Sequence, residues 1–255
     1  MARLARSSQI GLFPALLILT LIGVWEVAVR ATGVPIYILP PPSQIAFRLL
    51  SHAPNLLIQG GLTLIEALLG FALGCGVSLI AAAAMVHSPV LERSLLPLAI
   101  LLKVTPVVAV APLLVIWLGF GVAPRAVVAA LLTFYPMLIG ALSGFRSVSR
   151  EASDLFASLA ASRWEVFRFL RWPAALPHLF TAARVAVPLS LIGAVVAEWA
   201  GAEGGLGRAV LLAYTNLDLP ELFAAVVVLG VIGTVLTALL GLIERQAVFW
   251  TRLET

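Results

Sequence analysis

Few residues in this chain could carry chemistry, and the first to weigh is Lys103, the only lysine, in the run LLKVT. A phosphate-binding loop needs Gly-Lys followed by Ser or Thr, so that the lysine reaches the terminal phosphates. Lys103 lacks both neighbours, so the chain is not expected to hydrolyse ATP by that route. His52, His87 and His178 are scattered singly, and no spacing assembles a metal site. Cys75 is the only cysteine, which excludes an intramolecular disulfide and reads as a small buried apolar residue. No nucleophile, base and orienter can be brought together, so a membrane-embedded enzyme is disfavoured. What remains are ionisable residues inside apolar runs, which are functional candidates because charge is costly in hydrocarbon. Lys103, with Thr105 beside it, and Glu198 stand out; a structural pair or snorkelling to the interface is the equal alternative for the two charges. Glu66 and Glu26 lie near the outer ends of their runs, where interfacial exposure accounts for them.

The elements that hold these residues follow from composition. The chain has 255 residues, 62% of them hydrophobic and 11% charged, and its mean hydropathy of +1.10 is that of a polytopic, all-α membrane protein. A span needs about 20 apolar residues, and six regions qualify: 10–29, 60–86, 94–118, 126–145, 179–200 and 222–243. The fifth is the least clear, because Arg184 and Glu198 leave an uncharged centre of only 13 residues. Either Arg184 snorkels or the helix enters obliquely.

Cytoplasmic loops keep their Lys and Arg. With the amino terminus inside, eleven arginines fall on the cytoplasmic side (3, 6, 93, 146, 150, 163, 168, 171, 184, 245 and 252) and four outside (30, 48, 125 and 208). Both termini are therefore expected in the cytoplasm. The pI near 10 reports topology rather than nucleic-acid binding, since the basic residues are dispersed along membrane edges. The start, MARLARSSQIGLFPALLILTLIGVWEVAV, has the basic opening of a signal peptide. Its apolar stretch exceeds the usual length of about 7–15 residues, so it reads as an uncleaved first span.

Three segments lie between spans: 30–59 outside, 146–178 inside and 201–221 outside, none able to bury a core of its own. The first holds ILPPPSQ, an extended polyproline stretch, followed by a short amphipathic helix from Ser43 to His52. GAEGGLG, 201–207, lacks dinucleotide-loop spacing and reads as a flexible hairpin-like link. LLGFALGCGVSL, 68–79, reads as a close-packing helix face. The inside segment is the most informative. Glu151 to Ala161 forms a short helix, and Ser162-Arg-Trp-Glu165 fits a capping box that starts another at Arg163. Pro173 is expected to stop that second helix. Two readings fit this elbow: arginines and aromatics lying along lipid headgroups, or a rigid peg for a partner's groove.

The segment resembles the cytoplasmic loop of ATP-binding-cassette importer permeases, in their nitrate, sulfonate and taurine branch, written E-A-A, three residues, Gly, nine residues, Ile-x-Leu-Pro. With Pro173 as the final proline, Asp154 stands at the acid, Ala160 at the glycine, Leu170 at the isoleucine and Trp172 at the leucine. Leu155 and Phe156 replace the two alanines. VWEVAVRATGVPIYILPPPSQI, PLLVIWLGFG, PAALPHLFTAARVAVPLSL and AEWAGAEGGLG are also similar to that branch, so the resemblance covers nearly the whole chain. It implies a type I importer permease fold in the bacterial inner membrane. It also implies two ATPase partners that hold ATP and Mg, an extracytoplasmic solute-binding protein, and a second permease copy, most simply in a homodimer. No cofactor or metal is implied on this chain itself.

In that picture Asp154, Ala160, Ser162, Glu165, Leu170 and Pro173 belong to the coupling loop seated in the ATPase. Lys103, Thr105 and Glu198 become candidates for the translocation path of a nitrate, sulfonate, taurine or pyrimidine-type solute. Ala160, standing where the family has glycine, would be strained if that site has a positive φ. The rival reading, a self-sufficient carrier or channel, would need its own coupling-ion site and usually shows internal repeats, and no clear repeat is present.

Overall fold

The computed structural model describes residues 2–250, and every regular element among them is helical. In chain order these are α1 (Ala2–Thr32), α2 (Pro42–Ser51), α3 (Ala53–His87), α4 (Pro89–Val104), α5 (Val107–Leu118), α6 (Val122–Arg146), α7 (Arg150–Ser158), α8 (Arg163–Glu165), a π-helical turn (Val166–Arg171), α9 (Trp172–Trp199), α10 (Leu206–Thr215) and α11 (Leu219–Ala247). Arg252 lies outside the described residues, as do the side chains of Arg3 and Arg6.

Among the described residues four helices are long and apolar enough to cross a membrane: Ala53–His87, Val122–Arg146, Arg163–Trp199 and Leu219–Ala247. α1 runs through the apolar stretch 10–29. The run 94–118 is interrupted: α4 and α5 meet at a bend of 100°. Pro106 has no amide hydrogen and disfavours helical geometry in the residue before it, and Thr105 is extended at φ −65°, ψ 126°.

The chain forms two units, Met1–Leu57 with Ala209–Val228, and Ile58–Arg208 with Leu229–Thr255. In the first, Pro41 is extended and Pro42 opens α2, as the fixed proline φ favours. Glu26 is held in place rather than merely exposed at an interface: its carboxylate accepts from Arg30 Nε (2.6 Å) and from the Ser43 amide (2.9 Å) and hydroxyl (2.8 Å). Arg48 pairs with Asp218 at 3.0 Å, and His52 Nδ1 lies 2.9 Å from Glu221.

The second unit is built on α6 packed along α9, with α3 and α4 against them. Small residues allow the approach. A methyl added to Gly70 or Gly74 of α3 would collide with Ala129 or Thr133 of α6. One on Gly144 would stand 2.8 Å from Ala175 Cα. Backbones this close gain dispersion contacts, which drive helix association where lipid offers no hydrophobic difference. Met85, Met137, Leu138 and Phe145 fill the core, and half-buried Cys75 packs at its edge.

Glu66 corrects the expectation of interfacial exposure. It is 1% exposed and accepts from Arg125 at 2.5 Å, itself only 8% exposed. Burying the two charges as a pair avoids leaving either bare in the interior.

Candidate functional site

The elbow formed by α7 and α8 is built from local hydrogen bonds. Ser149 caps α7 by accepting from the Ala152 amide at 3.2 Å. Glu151 sits in the first turn, and its own backbone amide and the Ser149 hydroxyl hold its carboxyl below the usual range. α7 ends in a Schellman motif: the Ala161 amide donates to Phe156 O and the Ala160 amide to Ala157 O, each at 3.0 Å. That closure places Ala160 at φ +53°, in the left-handed region. The chain then restarts through a complete capping box, with Ser162 Oγ accepting from the Glu165 amide (3.3 Å) and Glu165 Oε2 from the Ser162 amide (2.7 Å). Asp154, Leu155, Leu159 and Trp164 are exposed along the elbow, and Leu170 is half-buried.

Pro173 does not stop the second helix. The helical path continues from Arg163 to Trp199, 37 residues. The widened turn Val166–Arg171 absorbs the proline: Trp172 N donates to Phe167 O, five residues back, which relieves the clash between the proline ring and the carbonyl four residues before it. The elbow is therefore continuous with the long helix that crosses the core. Phe167 joins them laterally, with ring centroids 5.2 Å from Phe145, 5.9 Å from His87 and 6.0 Å from Trp164.

Lys103 lines a cavity of about 720 Å³ between α4, α6 and α9. Its ammonium lies 4.6 Å from the centre of the Tyr135 ring, a cation–π contact. The other polar groups are Ser143, His178 and Thr181, and the walls include Leu102, Leu131, Ile139, Val185 and Leu189. No carboxylate lines the cavity, so its one fixed charge is positive. Thr105 stands at the α4–α5 bend outside this lining, its hydroxyl donating to Leu101 O at 2.9 Å.

Glu198 lies apart from that cavity and is fully buried. One oxygen accepts from Thr63 Oγ1 at 2.6 Å; the other accepts from the amides of Gly207 and Arg208 at the start of α10. The Leu206 amide donates to Thr63 Oγ1 (2.8 Å) and the Gly205 amide to Gln59 Oε1 (2.6 Å). GAEGGLG is thus a fixed turn and not a flexible link. A Cβ on Gly207 would stand 2.6 Å from Glu198 Oε2, so glycine is what lets the carboxylate reach the helix start. A carboxylate there satisfies free amides and meets the positive end of the helix dipole. The glycines and Glu198 were both visible in sequence; Thr63 and Gln59, far upstream, carried no signal of their role.

Residues 74–248 match the family described as the binding-protein-dependent transport system inner membrane component. The chain is 34% identical to the formylaminopyrimidine transport permease protein ThiX of Halalkalibacterium halodurans, over 97% of this chain and 98% of that protein. It is 38% identical to the riboflavin transport system permease protein RibX of Chloroflexus aurantiacus (93% and 89%), and 30% identical to the taurine transport system permease protein TauC of Escherichia coli (89% and 84%). A chain of the MetNI methionine ABC transporter, solved in inward facing conformations, superposes with a TM-score of 0.61 at 17% identity, over 76% of this chain and 95% of that one. The fold is accordingly the all-α type I importer permease fold. A multi-pass helical chain with these relatives over nearly its whole length belongs to the binding-protein-dependent inner membrane permeases of ABC importers.

Proposed function

We propose that this permease passes a small anionic, heteroaromatic solute inward along a path lined by Lys103, and that ATP is hydrolysed on partner subunits. The observation that carries the reading is the cavity: apolar walls, an aromatic ring and a single cation with no carboxylate. Its volume, about 720 Å³, suits a solute of vitamin-precursor size. Nitrate, sulfonate and taurine types share the negative charge, but the Tyr135 ring and leucine walls favour a planar pyrimidine-type molecule. The names of two relatives, a formylaminopyrimidine and a riboflavin permease, support the planar ring, while the charge rests on Lys103 alone. Thr105 lies at the bend that ends α4 beside Lys103, and Glu198 fixes the α10 turn rather than meeting solute.

The assembly is two copies of this chain, two ATPases holding ATP and Mg, and a binding protein that delivers solute from outside. The chain is a single permease domain of six crossings, α4 with α5 forming the third, with both termini cytoplasmic. Asp154, Ala160, Ser162, Glu165, Leu170 and Pro173 belong to the elbow that seats in the ATPase. Rigid continuity from the elbow into α9 turns ATPase closure into movement of the path.

Reconstitution in proteoliposomes with the ATPase and binding protein tests this. Lys103→Met should lower uptake of an anionic pyrimidine about tenfold, the effect of losing one charged contact. Uptake by the Lys103→Met variant equal to wild type removes the path assignment. Uptake by this chain without an ATPase removes the importer-subunit mechanism.

A further inference from the structure

Where the last turns of α3 meet the start of the helix at Arg163, two adjoining hollows open. The smaller, about 280 Å³, is lined by Val86, His87, Ala161, Arg163, Val166 and Arg171. The larger, about 400 Å³, shares His87 and Arg163 and adds only Ala83, Ala84, Trp164 and Phe167. One hollow is thus basic and its neighbour apolar.

Among the described residues neither Arg163 nor Arg171 pairs with a carboxylate. Glu165, the carboxylate nearest to both in sequence, accepts from the Ser162 amide and hydroxyl, and Glu92 of α4 pairs with Arg146. Two unpaired guanidinium forks around one hollow match the geometry of a phosphate. His87 Nδ1 lies 2.7 Å from Ala83 O, and since a carbonyl only accepts, that nitrogen carries the proton. In the neutral ring Nε2 is then an acceptor, suited to a hydroxyl. The hollows stand at the end of an apolar helix whose Ile80 is 74% exposed, beside a Trp164 that is 65% exposed. Tryptophan at such an edge marks the headgroup level, where basic pockets between spans collect anionic lipid.

We propose that the two hollows form one site for an anionic glycerophospholipid. Its phosphate sits on Arg163 and Arg171, a headgroup hydroxyl donates to His87 Nε2, and the first methylenes of a chain lie along Ala83, Ala84 and Phe167. Free phosphate would use the basic hollow alone. Because Arg163 opens the helix after the capping box and Arg171 ends the π-helical turn, a bound lipid ties the elbow to α3. Membrane composition then bears on coupling.

Native mass spectrometry of the detergent-solubilised permease tests the site with dioleoylphosphatidylglycerol, dioleoylphosphatidylcholine and inorganic phosphate as probes. Wild type should retain one phosphatidylglycerol on the order of tenfold better than phosphatidylcholine. The R163Q/R171Q variant should lose that preference, while R168Q, on the same turn but outside both hollows, should keep it. If the double variant does not fold, R171Q alone should lose a clear part of the preference. Equal retention of the two lipids, or an unchanged preference in the arginine variants, overturns the proposal. Displacement of phosphatidylglycerol by equimolar phosphate would make this a small-anion site, and displacement by purified ATPase would make it part of a protein interface; either result also overturns it.

Discussion

Ala160 carries a Cβ in a backbone conformation that glycine adopts freely, at φ +53°. Left-handed geometry costs an L-residue about 1–2 kcal/mol. Ala160→Gly should therefore stabilise the elbow by about 1 kcal/mol, seen as slower hydrogen exchange of the α7 and α8 amides; unchanged or faster exchange would contradict the strain. Ala160→Val should act the other way and lower solute-stimulated ATP hydrolysis. A second test concerns the buried pair. Arg125→Met strands the Glu66 carboxylate and should cost about 3–5 kcal/mol, whereas combining it with Glu66→Gln should restore most of the loss. Thermal unfolding of both variants in detergent decides this, and a double variant no better than the single would refute the pairing. The Ser162 capping box was legible in sequence because donor and acceptor lie three residues apart. The Glu66–Arg125 pair was not, because only the packing of α3 on α6 joins residues 59 apart.

At the scale of elements, the stop expected at Pro173 and the continuous helix observed differ by one widened turn. Proline rules describe an α-helical register, and the π-helical turn evades them by moving the carbonyl away from the ring. Nothing local announces that choice; it depends on Phe167 seating between Phe145, His87 and Trp164. The turn has a mechanical role that can be measured. Deleting Phe169, which is 61% exposed, would return the segment to α-helical register and rotate the elbow by about 100° relative to α9. ATP hydrolysis should then run uncoupled from uptake in proteoliposomes. Coupled transport surviving the deletion would show that the elbow's orientation on α9 is unimportant. The α4–α5 bend, by contrast, was already written in Thr105-Pro106, although uninterrupted hydropathy made the run 94–118 read as one span.

For the whole molecule, apolar run lengths and arginine placement sufficed for an all-helical multi-pass chain, and the quoted stretches for its family. What they could not supply was which charged groups pair and which face a cavity: Glu198 and Lys103 looked alike in sequence, yet one caps α10 in the interior and the other borders open space. Membrane orientation is directly testable. In a Cys75→Ser background, Ser158→Cys should react with an impermeant maleimide only from the cytoplasmic side and Tyr37→Cys only from outside; the reverse pattern would invert the topology. The unaltered chain offers something further. Its single thiol sits on α3 at the edge of the core that α6 and α9 build. The native transporter thus carries an intrinsic reporter, and the rate at which Cys75 reacts during turnover would time the loosening of α3 from that core without a single engineered residue.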